Sequence, residues 1–184
     1  MRSLSFIDEL SGMRNRRGFF LLAERRLDAA RATRGGRLTV VLVSMEGLKD
    51  ANDWHGRAAG TELIRDAARA LTAAFGPDDV IARLGGGEFA VLSSSPPEGI
   101  RAGILRAVGE RNKIVADRPF ELELTVGAAC LPVDDATTLD ELIVAADADM
   151  HAHRGESPYG PPPVRASEAR PDGARKRKGS QAAA

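Results

Sequence analysis

The chain has 184 residues, of which 43% are hydrophobic, 28% are charged and 4% are aromatic, and its formal net charge is zero. This length and composition predict one globular domain with a mainly aliphatic core and a short additional segment. The charge is unevenly spread, since residues 157–184 hold six basic and two acidic residues and the rest of the chain is therefore acidic. An acidic domain argues against a nucleic-acid-binding function, because phosphate binding needs a basic face.

Three features predict a cytoplasmic protein. The single cysteine, Cys130, excludes an internal disulfide and is typical of a reducing compartment. The first twelve residues, MRSLSFIDELSG, lack the apolar run of a signal peptide. The longest strongly apolar stretch, LTVVLV, is too short to cross a bilayer, so no membrane span is expected.

Hydrophobic spacing predicts four elements in the first half of the chain. An amphipathic helix is expected over residues 16–33, and a pair of glycines after it ends the helix. The β-branched run RLTVVLVSM predicts a strand, Arg37–Met45, that is covered on both faces. A polar loop is expected over residues 46–56, and a second helix over residues 58–75.

The second half is predicted to contain a hairpin, a strand and two helices. Residues 80–93 consist of two apolar runs around RLGGGEF, which indicates a strand, a tight glycine turn and a strand. A helix is expected over residues 96–115, and the alternating segment FELELTVGAACLP predicts a strand over residues 120–132. The sequence Thr138-Leu139-Asp140-Glu141 has the pattern of a capping box and predicts a last helix that ends near residue 153.

This order of elements predicts an α+β sandwich, in which one mixed or mostly antiparallel sheet is flanked by helices and carries a β-hairpin. After residue 157, Pro, Gly, Ala, Ser and Arg dominate the sequence. Such a segment buries too little surface to offset its ordering entropy. We therefore expect a folded domain over residues 1–156 and a disordered basic tail over residues 157–184, the tail being a weak candidate for contacts with nucleic acid or an anionic membrane.

Four segments match, in order, the motifs of one known family. They are DELSGMRNRR (residues 8–17), SMEGLKDANDWHGRAAGT (residues 44–61), RLGGGEF (residues 83–89) and ADADMHAHR (residues 146–154). The chain thereby resembles, over about residues 6–156, the GGDEF domains that include diguanylate cyclases. The resemblance implies a palm-like fold shared with nucleotidyl cyclases, with a nucleotide at the tip of the signature hairpin.

Family enzymes join two GTP molecules into cyclic di-GMP, and two divalent ions neutralise the phosphates. The resemblance implies that the acids holding these ions belong at residues 44 and 87, where this chain has Ser44 and Gly87. A hydroxyl is a poor ligand for Mg²⁺, and glycine offers no side chain. The nearby acids Glu46 and Glu88 remain as candidate metal ligands, with Glu88 the one catalytic candidate. Mg²⁺ is therefore expected only as a companion of bound GTP.

The resemblance also implies which residues would contact the nucleotide. Lys49 matches the phosphate-binding lysine and Asn52 the guanine-reading asparagine, while Thr61 replaces a guanine-binding aspartate. Thr61 accepts one hydrogen bond but cannot hold both guanine N–H donors. Two hairpin glycines permit close approach of the nucleotide, and Arg154 is the cation that replaces the last-helix lysine. The implied nucleotide-binding residues are Lys49, Asn52, Thr61, Gly85, Gly86 and Arg154.

Each of these residues also has a purely structural reading. The glycines suit a plain hairpin turn with positive φ, Lys49 suits a solvated surface, and Glu46 suits a hydrogen-bonded structural acid. Three functions follow. The first is a non-catalytic signalling module that binds GTP or a protein partner, including a second copy of the chain. The alternatives are an active diguanylate cyclase that uses Glu46 and Glu88, and a dimerising scaffold without nucleotide binding.

Overall fold

The computed structural model describes residues 5–33 and 36–154, which lie in one compact unit, Met1–Arg154. The elements in chain order are β1 (Arg14–Asn15), α1 (Arg16–Arg31), β2 (Arg37–Met45), α2 (Leu48–His55), α3 (Arg57–Ala74), β3 (Val80–Gly85), β4 (Glu88–Ser93), α4 (Ile100–Ile114), β5 (Leu124–Pro132) and α5 (Leu139–Ala152). The predicted basic tail and the domain boundary at residue 156 lie outside the described residues. Among the described helices, none combines the length and the hydrophobicity needed to cross a membrane.

The strands form one five-stranded sheet in the order β1-β3-β4-β2-β5. β4 is the central strand, and β2, the fourth in this order, pairs antiparallel with β4 on one side and with the edge strand β5 on the other. β3 and β4 form the antiparallel hairpin, and the two-residue β1 is parallel to β3. The predicted α+β sandwich with a mostly antiparallel sheet is therefore confirmed.

Alternation along β2 divides the core into two layers, because successive strand side chains point to opposite faces. Val41, Val43 and Met45 face one cluster, which α2, α3 and α4 complete with residues such as Leu63 and Ile104. The opposite face carries a second cluster, to which β2 contributes Leu38 and Val40, α1 contributes Phe19 and Leu27, and α5 contributes Leu139 and Leu142. Helices thus cover both faces, which explains the nearly continuous apolar sequence of β2.

The predicted loop over residues 46–56 is wrong for most of its length, because Leu48–His55 form the helix α2. The helix begins after Gly47, whose φ of 67° turns the chain sharply at the end of β2. Gly56, with a φ of 84°, separates α2 from α3. The polar composition concealed the helix, since Ala51 is its one buried residue; α2 contacts α3 and the core through that side.

Two strand boundaries also differ from the sequence prediction. β5 begins at Leu124 and not at residue 120. The Asn112 side chain forms two hydrogen bonds with the backbone of Leu122. Its Nδ2 donates to the Leu122 carbonyl (3.0 Å), and its Oδ1 accepts from the Leu122 N–H (2.9 Å). Residues 120–123 therefore satisfy part of their backbone outside the sheet. The short β1 was not predicted, because two residues carry no measurable periodicity.

One buried ionic cluster joins α3 to α4 and the segment that follows it. The Asp66 carboxylate is fully buried and contacts Arg111 Nε at 2.6 Å, Arg118 Nη1 at 2.7 Å and Arg69 Nη1 at 3.1 Å. Arg118 also stacks on the Phe120 ring at 4.7 Å. Burying a carboxylate is costly unless it is paired, so these guanidinium groups are what permit Asp66 in the interior.

Candidate nucleotide-binding site

The end of β2 and the tip of the β3–β4 hairpin lie side by side. Ser44 is opposite Glu88 on β4 and opposite Thr125 on β5, so these three residues form one row across the sheet. The Met45 N–H donates to the Gly87 carbonyl at 2.9 Å, which extends the pairing into the turn. The structure therefore brings together the two segments in which the family metal ligands would lie.

The hairpin turn depends on glycine backbone geometry. Gly85 has a φ of 142° and Gly86 a φ of 51°, values that residues with a side chain rarely adopt. A side-chain carbon at either position would meet no heavy atom within 4 Å, so the backbone and not crowding selects glycine there. The plain turn reading is thus correct for the backbone, while nucleotide contact at these residues remains a prediction.

Gly87 is glycine for a different reason. A Cβ atom built on it would lie 2.9 Å from Met45 Cβ and 3.2 Å from Leu48 Cδ2. Real Cβ atoms do not approach another carbon at 2.9 Å, and Met45 Cβ is fixed to the backbone of β2. An acidic side chain at residue 87 therefore requires β2 or the turn to move. Leu48, the first residue of α2, was not singled out from the sequence, because its contact with the turn is long-range.

An arginine clamp holds the hairpin tip to the N-terminal segment. Arg83 donates through Nε (3.1 Å) and Nη2 (2.8 Å) to the Gly86 carbonyl, and its Nη1 lies 3.1 Å from both oxygens of Asp8. Asp8 also accepts from the Ser11 hydroxyl at 2.7 Å and from the Ser11 N–H at 2.9 Å. Arg83 opens the RLGGGEF motif, and only the fold shows that its partner is the first residue of the DELSG segment.

These contacts change the titration of Asp8. Burial acts to raise the pKa of Asp8, but the hydrogen bonds from Ser11 and Arg83 outweigh it, so this pKa lies below its ordinary value. The carboxylate therefore stays ionised in the folded protein and pairs with Arg83, whose side chain is 13% exposed.

The donor set at the site does not fit a divalent metal centre. Thr125 Oγ1 donates to Glu46 Oε1 at 2.9 Å, which joins Glu46 to β5. Glu88 is exposed at the tip of the hairpin. Within residues 5–33 and 36–154, no three acidic, histidine or cysteine side chains are grouped closely enough to hold a metal ion. Mg²⁺ prefers several oxygen ligands in octahedral geometry, and this row offers a hydroxyl at residue 44 and no side chain at residue 87.

The predicted base-binding residues lie on α2 and α3. Lys49 is exposed in the first turn of α2, and Asn52 is half-buried one turn later. The Asn52 amide lies so close to Gly60 that a side-chain carbon there would overlap it. Asn52 thus lies against Gly60 of α3, next to the half-buried Thr61. The chain brings these residues together because Gly56 folds α2 back against α3.

The predicted cation Arg154 follows the end of α5. β5 begins beside the row that contains Ser44 and runs away from it. α5 packs against β5 and runs back toward that row. Gly127 permits this path, because its missing side chain leaves room for the backbone of Ala146 and Met150. Arg154 lies one turn beyond Met150 and therefore at the end of the sheet that carries Ser44 and Glu88.

A charged network that the sequence did not indicate fixes this last turn of α5. Arg101 Nη2 at the start of α4 donates to the Asp149 carboxylate at 2.8 Å and to the Val126 carbonyl at 3.0 Å, and lies 2.9 Å from His153 Nδ1. Asp149 also accepts from the Ala128 N–H at 2.8 Å. Arg101 and Asp149 thereby satisfy two backbone groups on the free edge of β5. Covering such groups protects an edge strand from pairing with another chain.

Comparison with family profiles assigns most of the chain to one family. The profile described as "Diguanylate cyclase, GGDEF domain" matches residues 5–157. An uncharacterized Streptomyces griseus protein from the hutH 5′ region is 30% identical over 169 residues, covering 88% of this chain and 67% of its own length. The chain spans only 19% and 17% of two other curated relatives that it matches.

Solved structures share the fold. The GGDEF domain of DgcB from Caulobacter crescentus, crystallised with c-di-GMP, superposes with a TM-score of 0.71 at 21% identity, covering 84% of this chain and 92% of that one. The diguanylate cyclase SiaD from Pseudomonas aeruginosa, crystallised with its activator SiaC, gives a TM-score of 0.70 at 21% identity, covering 82% of this chain and 58% of SiaD. At this identity the likeness establishes the fold alone.

The packing of Gly87 predicts that Gly87→Ala destabilises the domain by about 1–3 kcal/mol, because the added methyl group overpacks the contact with Met45 and Leu48. Urea unfolding measures this difference. Gly103→Ala is the matched control, since Gly103 lies within α4 with open space around it and should gain about 0.5–1 kcal/mol from helix propensity. Equal stability of Gly87→Ala and wild type would contradict the close packing.

The Asp8–Arg83 pair predicts that Asp8→Asn lowers the free energy of unfolding by about 1–3 kcal/mol at pH 7. Because folding lowers the pKa of Asp8, its stabilisation is present above the unfolded pKa of about 4 and is lost as the pH falls through the folded value. Urea titrations from pH 7 to pH 2.5 should therefore show the two proteins converging in acid. Glu9→Gln, an exposed neighbour, should show no such convergence; a pH-independent gap for Asp8→Asn would exclude the ionic contribution.

Proposed function

The chain belongs to the GGDEF domain family, and on that basis we propose that it is a cytoplasmic regulatory module of cyclic di-GMP signalling. It binds GTP or docks on a partner protein, and it does not synthesise cyclic di-GMP. The description of the family profile and the c-di-GMP complex of DgcB support the signalling context.

The observation that carries the proposal is the pair Ser44 and Gly87. Both positions that the family uses to hold its divalent ions lack a carboxylate, and a side chain at residue 87 would require β2 or the turn to shift. If each lost ligand costs roughly 3–4 kcal/mol of transition-state stabilisation, turnover falls by roughly 10⁴–10⁶, less if the two ligands act as one unit. A domain slowed this far acts in signalling through binding alone.

Three features support GTP binding. Lys49 provides an exposed cation, and the Asn52 amide lies close to Gly60, where the missing side chain makes room for it. The turn at Gly85 and Gly86 presents bare backbone, which phosphate groups can approach closely. An amide carries both a hydrogen-bond donor and an acceptor, which are the groups needed to bind a guanine base.

Docking on a protein partner or on a second copy of the chain is the other half of the proposal. Trp54 on α2 is 82% exposed, close in sequence to Lys49 and Asn52. Exposed aromatic side chains are enriched at protein interfaces. The complex of SiaD with its activator SiaC supports regulation of a related domain by a separate protein. If the domain does not bind nucleotide, docking through this surface makes it a dimerising scaffold.

Residual cyclase activity is the competing function, and Glu88 is the residue that favours it. Glu88 is exposed directly opposite Ser44, where its carboxylate provides one oxygen ligand near the expected metal position. Glu46 lies two residues after Ser44, and the hydrogen bond from Thr125 to its Oε1 orients it toward β5. One flexible carboxylate is a weak substitute for two fixed ligands, since metal catalysis depends on defined coordination geometry.

Incubation of the full chain with GTP and either Mg²⁺ or Mn²⁺ should yield no cyclic di-GMP above the protein-free control, as measured by chromatography. SiaD, assayed in parallel, provides the positive control. Ser44→Asp combined with Gly87→Asp should also remain silent, because the side chain at residue 87 displaces the contact with Met45; circular dichroism checks that this variant is folded. Formation of cyclic di-GMP by wild type at a rate comparable to SiaD would overturn the proposal.

Calorimetric titration with GTP tests the nucleotide half, with and without Mg²⁺. Wild type should release or absorb heat of binding in at least one condition, and Lys49→Met should weaken the affinity by up to about tenfold through the lost phosphate contact. Lys113→Met is the matched control, because Lys113 lies on α4 and pairs with Glu110. The absence of heat up to millimolar GTP in both conditions would remove the nucleotide half and leave docking alone.

A further inference from the structure

A groove with a volume of about 380 Å³ lies between α3 and α4 on the surface of the domain. Its walls carry Arg69, Arg106 and Arg111, together with the acid Glu110. Open space remains above Gly103, because a side-chain carbon built there would meet no heavy atom within 4 Å. The groove is thus an open channel with cationic walls, large enough for side chains from another molecule.

The charges around the groove are mainly positive. α3 and α4 together contain seven basic and three acidic residues. Each of these acids, Glu62, Asp66 and Glu110, already pairs with a basic side chain. Within residues 5–33 and 36–154, the exposed Arg106 forms no salt bridge. Outside the lining, beyond the ends of the two helices, lie the acids Asp78, Asp79, Glu98 and Asp117. The groove therefore attracts an acidic partner.

The outer face of α5 has the opposite charge and an apolar centre. α5 contains four acidic residues and no lysine or arginine. Val144 is 67% exposed, and Asp140, Glu141 and Asp147 lie within one turn of it on the same side of the helix. The fourth acid pairs with Arg101. The outer face thus presents one apolar side chain among three carboxylates.

Positive groups near this face leave its acidity in place. His151 lies one turn beyond Asp147, with its Nδ1 at 3.5 Å from that carboxylate. Arg31 of α1 contacts the Asp28 carboxylate at 2.8 Å and the Thr137 carbonyl at 2.7 Å. Even with both side chains counted as cations, the acids on the outer face of α5 outnumber them.

The basic groove and the acidic face lie on opposite sides of the sheet. α3 and α4 cover the side that contains Val41 and Val43, whereas α5 covers the side that contains Leu38 and Val40. The two surfaces therefore cannot meet within one copy of the domain. Between copies they can meet, and because each copy keeps one free surface of either kind, the contact repeats head to tail and does not form a two-fold symmetric pair.

We propose that the outer face of α5 in one copy docks into the α3–α4 groove of a second copy. Val144 enters the groove as the apolar anchor, and Asp140 and Asp147, about 10.5 Å apart along α5, meet the arginines of its walls. Charge complementarity fixes the orientation. A contact of three helical turns is small, so the association is weak and concentration-dependent. This deepens the self-docking half of the proposed function, on a surface other than that of Trp54.

Sedimentation velocity of the full chain at low salt tests the association. Between about 10 µM and about 1 mM, the wild-type coefficient should rise past that of a dimer, and it should fall in about 0.5 M NaCl because salt screens the charge pairs. Arg106→Glu should weaken association at least about tenfold, since it places an acid opposite the acids of α5. Arg57→Glu is the matched control and should behave as wild type, because the exposed Arg57 lies about 18 Å before Arg69 along α3.

A mixing experiment tests which two surfaces pair. Ala73→Trp fills the groove and leaves α5 unchanged, whereas Asp147→Arg reverses a charge on α5 and leaves the groove unchanged. Each variant alone should be monomeric, and an equal mixture should form a dimer that grows no further, because one groove and one acidic face remain. Ala102→Trp, exposed on α4 outside the groove lining, is the matched control and should assemble like wild type.

Three results would overturn the inference. A wild-type chain that stays monomeric at every concentration would exclude it and leave the GTP binding, which calorimetry measures separately. Association that survives Arg106→Glu and is lost in Trp54→Ala would exclude it and place self-docking at the surface around Trp54. An equal mixture of Ala73→Trp and Asp147→Arg that stays monomeric, with both variants folded by circular dichroism, would exclude the contact between α5 and the groove.

Discussion

The close approach of Gly87 to the end of β2 is the constraint on which the site depends. The Gly87 carbonyl accepts from the Met45 N–H, and the missing side chain lets the turn lie against Met45 and Leu48. This contact sets the position of the hairpin tip relative to β2 and α2. A side chain at residue 87 would require β2 or the turn to shift, so the same contact bears on which residues this position accepts.

The Arg83 clamp supplies the second restraint on the tip. One guanidinium group connects the turn carbonyl of Gly86 with Asp8, two positions that are 78 residues apart in the sequence. The parallel pairing of β1 with β3 brings the N-terminal segment next to the hairpin and makes the contact geometrically available. The motif that opens the domain and the motif that ends in the hairpin are thus one structural unit.

The charge distribution separates binding from catalysis. The proposed nucleotide binding relies on a cation, an amide and open backbone, which are present at Lys49, Asn52 and the hairpin glycines. Joining two nucleotides needs divalent ions to stabilise charge that develops at the reacting phosphate, and the carboxylates for those ions are absent.

The sequence alone determined the order of elements, the α+β class, the family and the two missing acids, because periodicity, capping and linear motifs are local properties. The capping box at Thr138 and the strand Arg37–Met45 have the same residues in the structure as in the prediction. Only the tertiary structure decided that residues 48–55 form a helix and that Arg83 pairs with Asp8. It alone also showed that Arg101 binds a backbone carbonyl at the edge of β5 and that Gly87 packs against Met45. These features depend on contacts between distant segments, and the free energy of such contacts leaves no periodic trace in the chain.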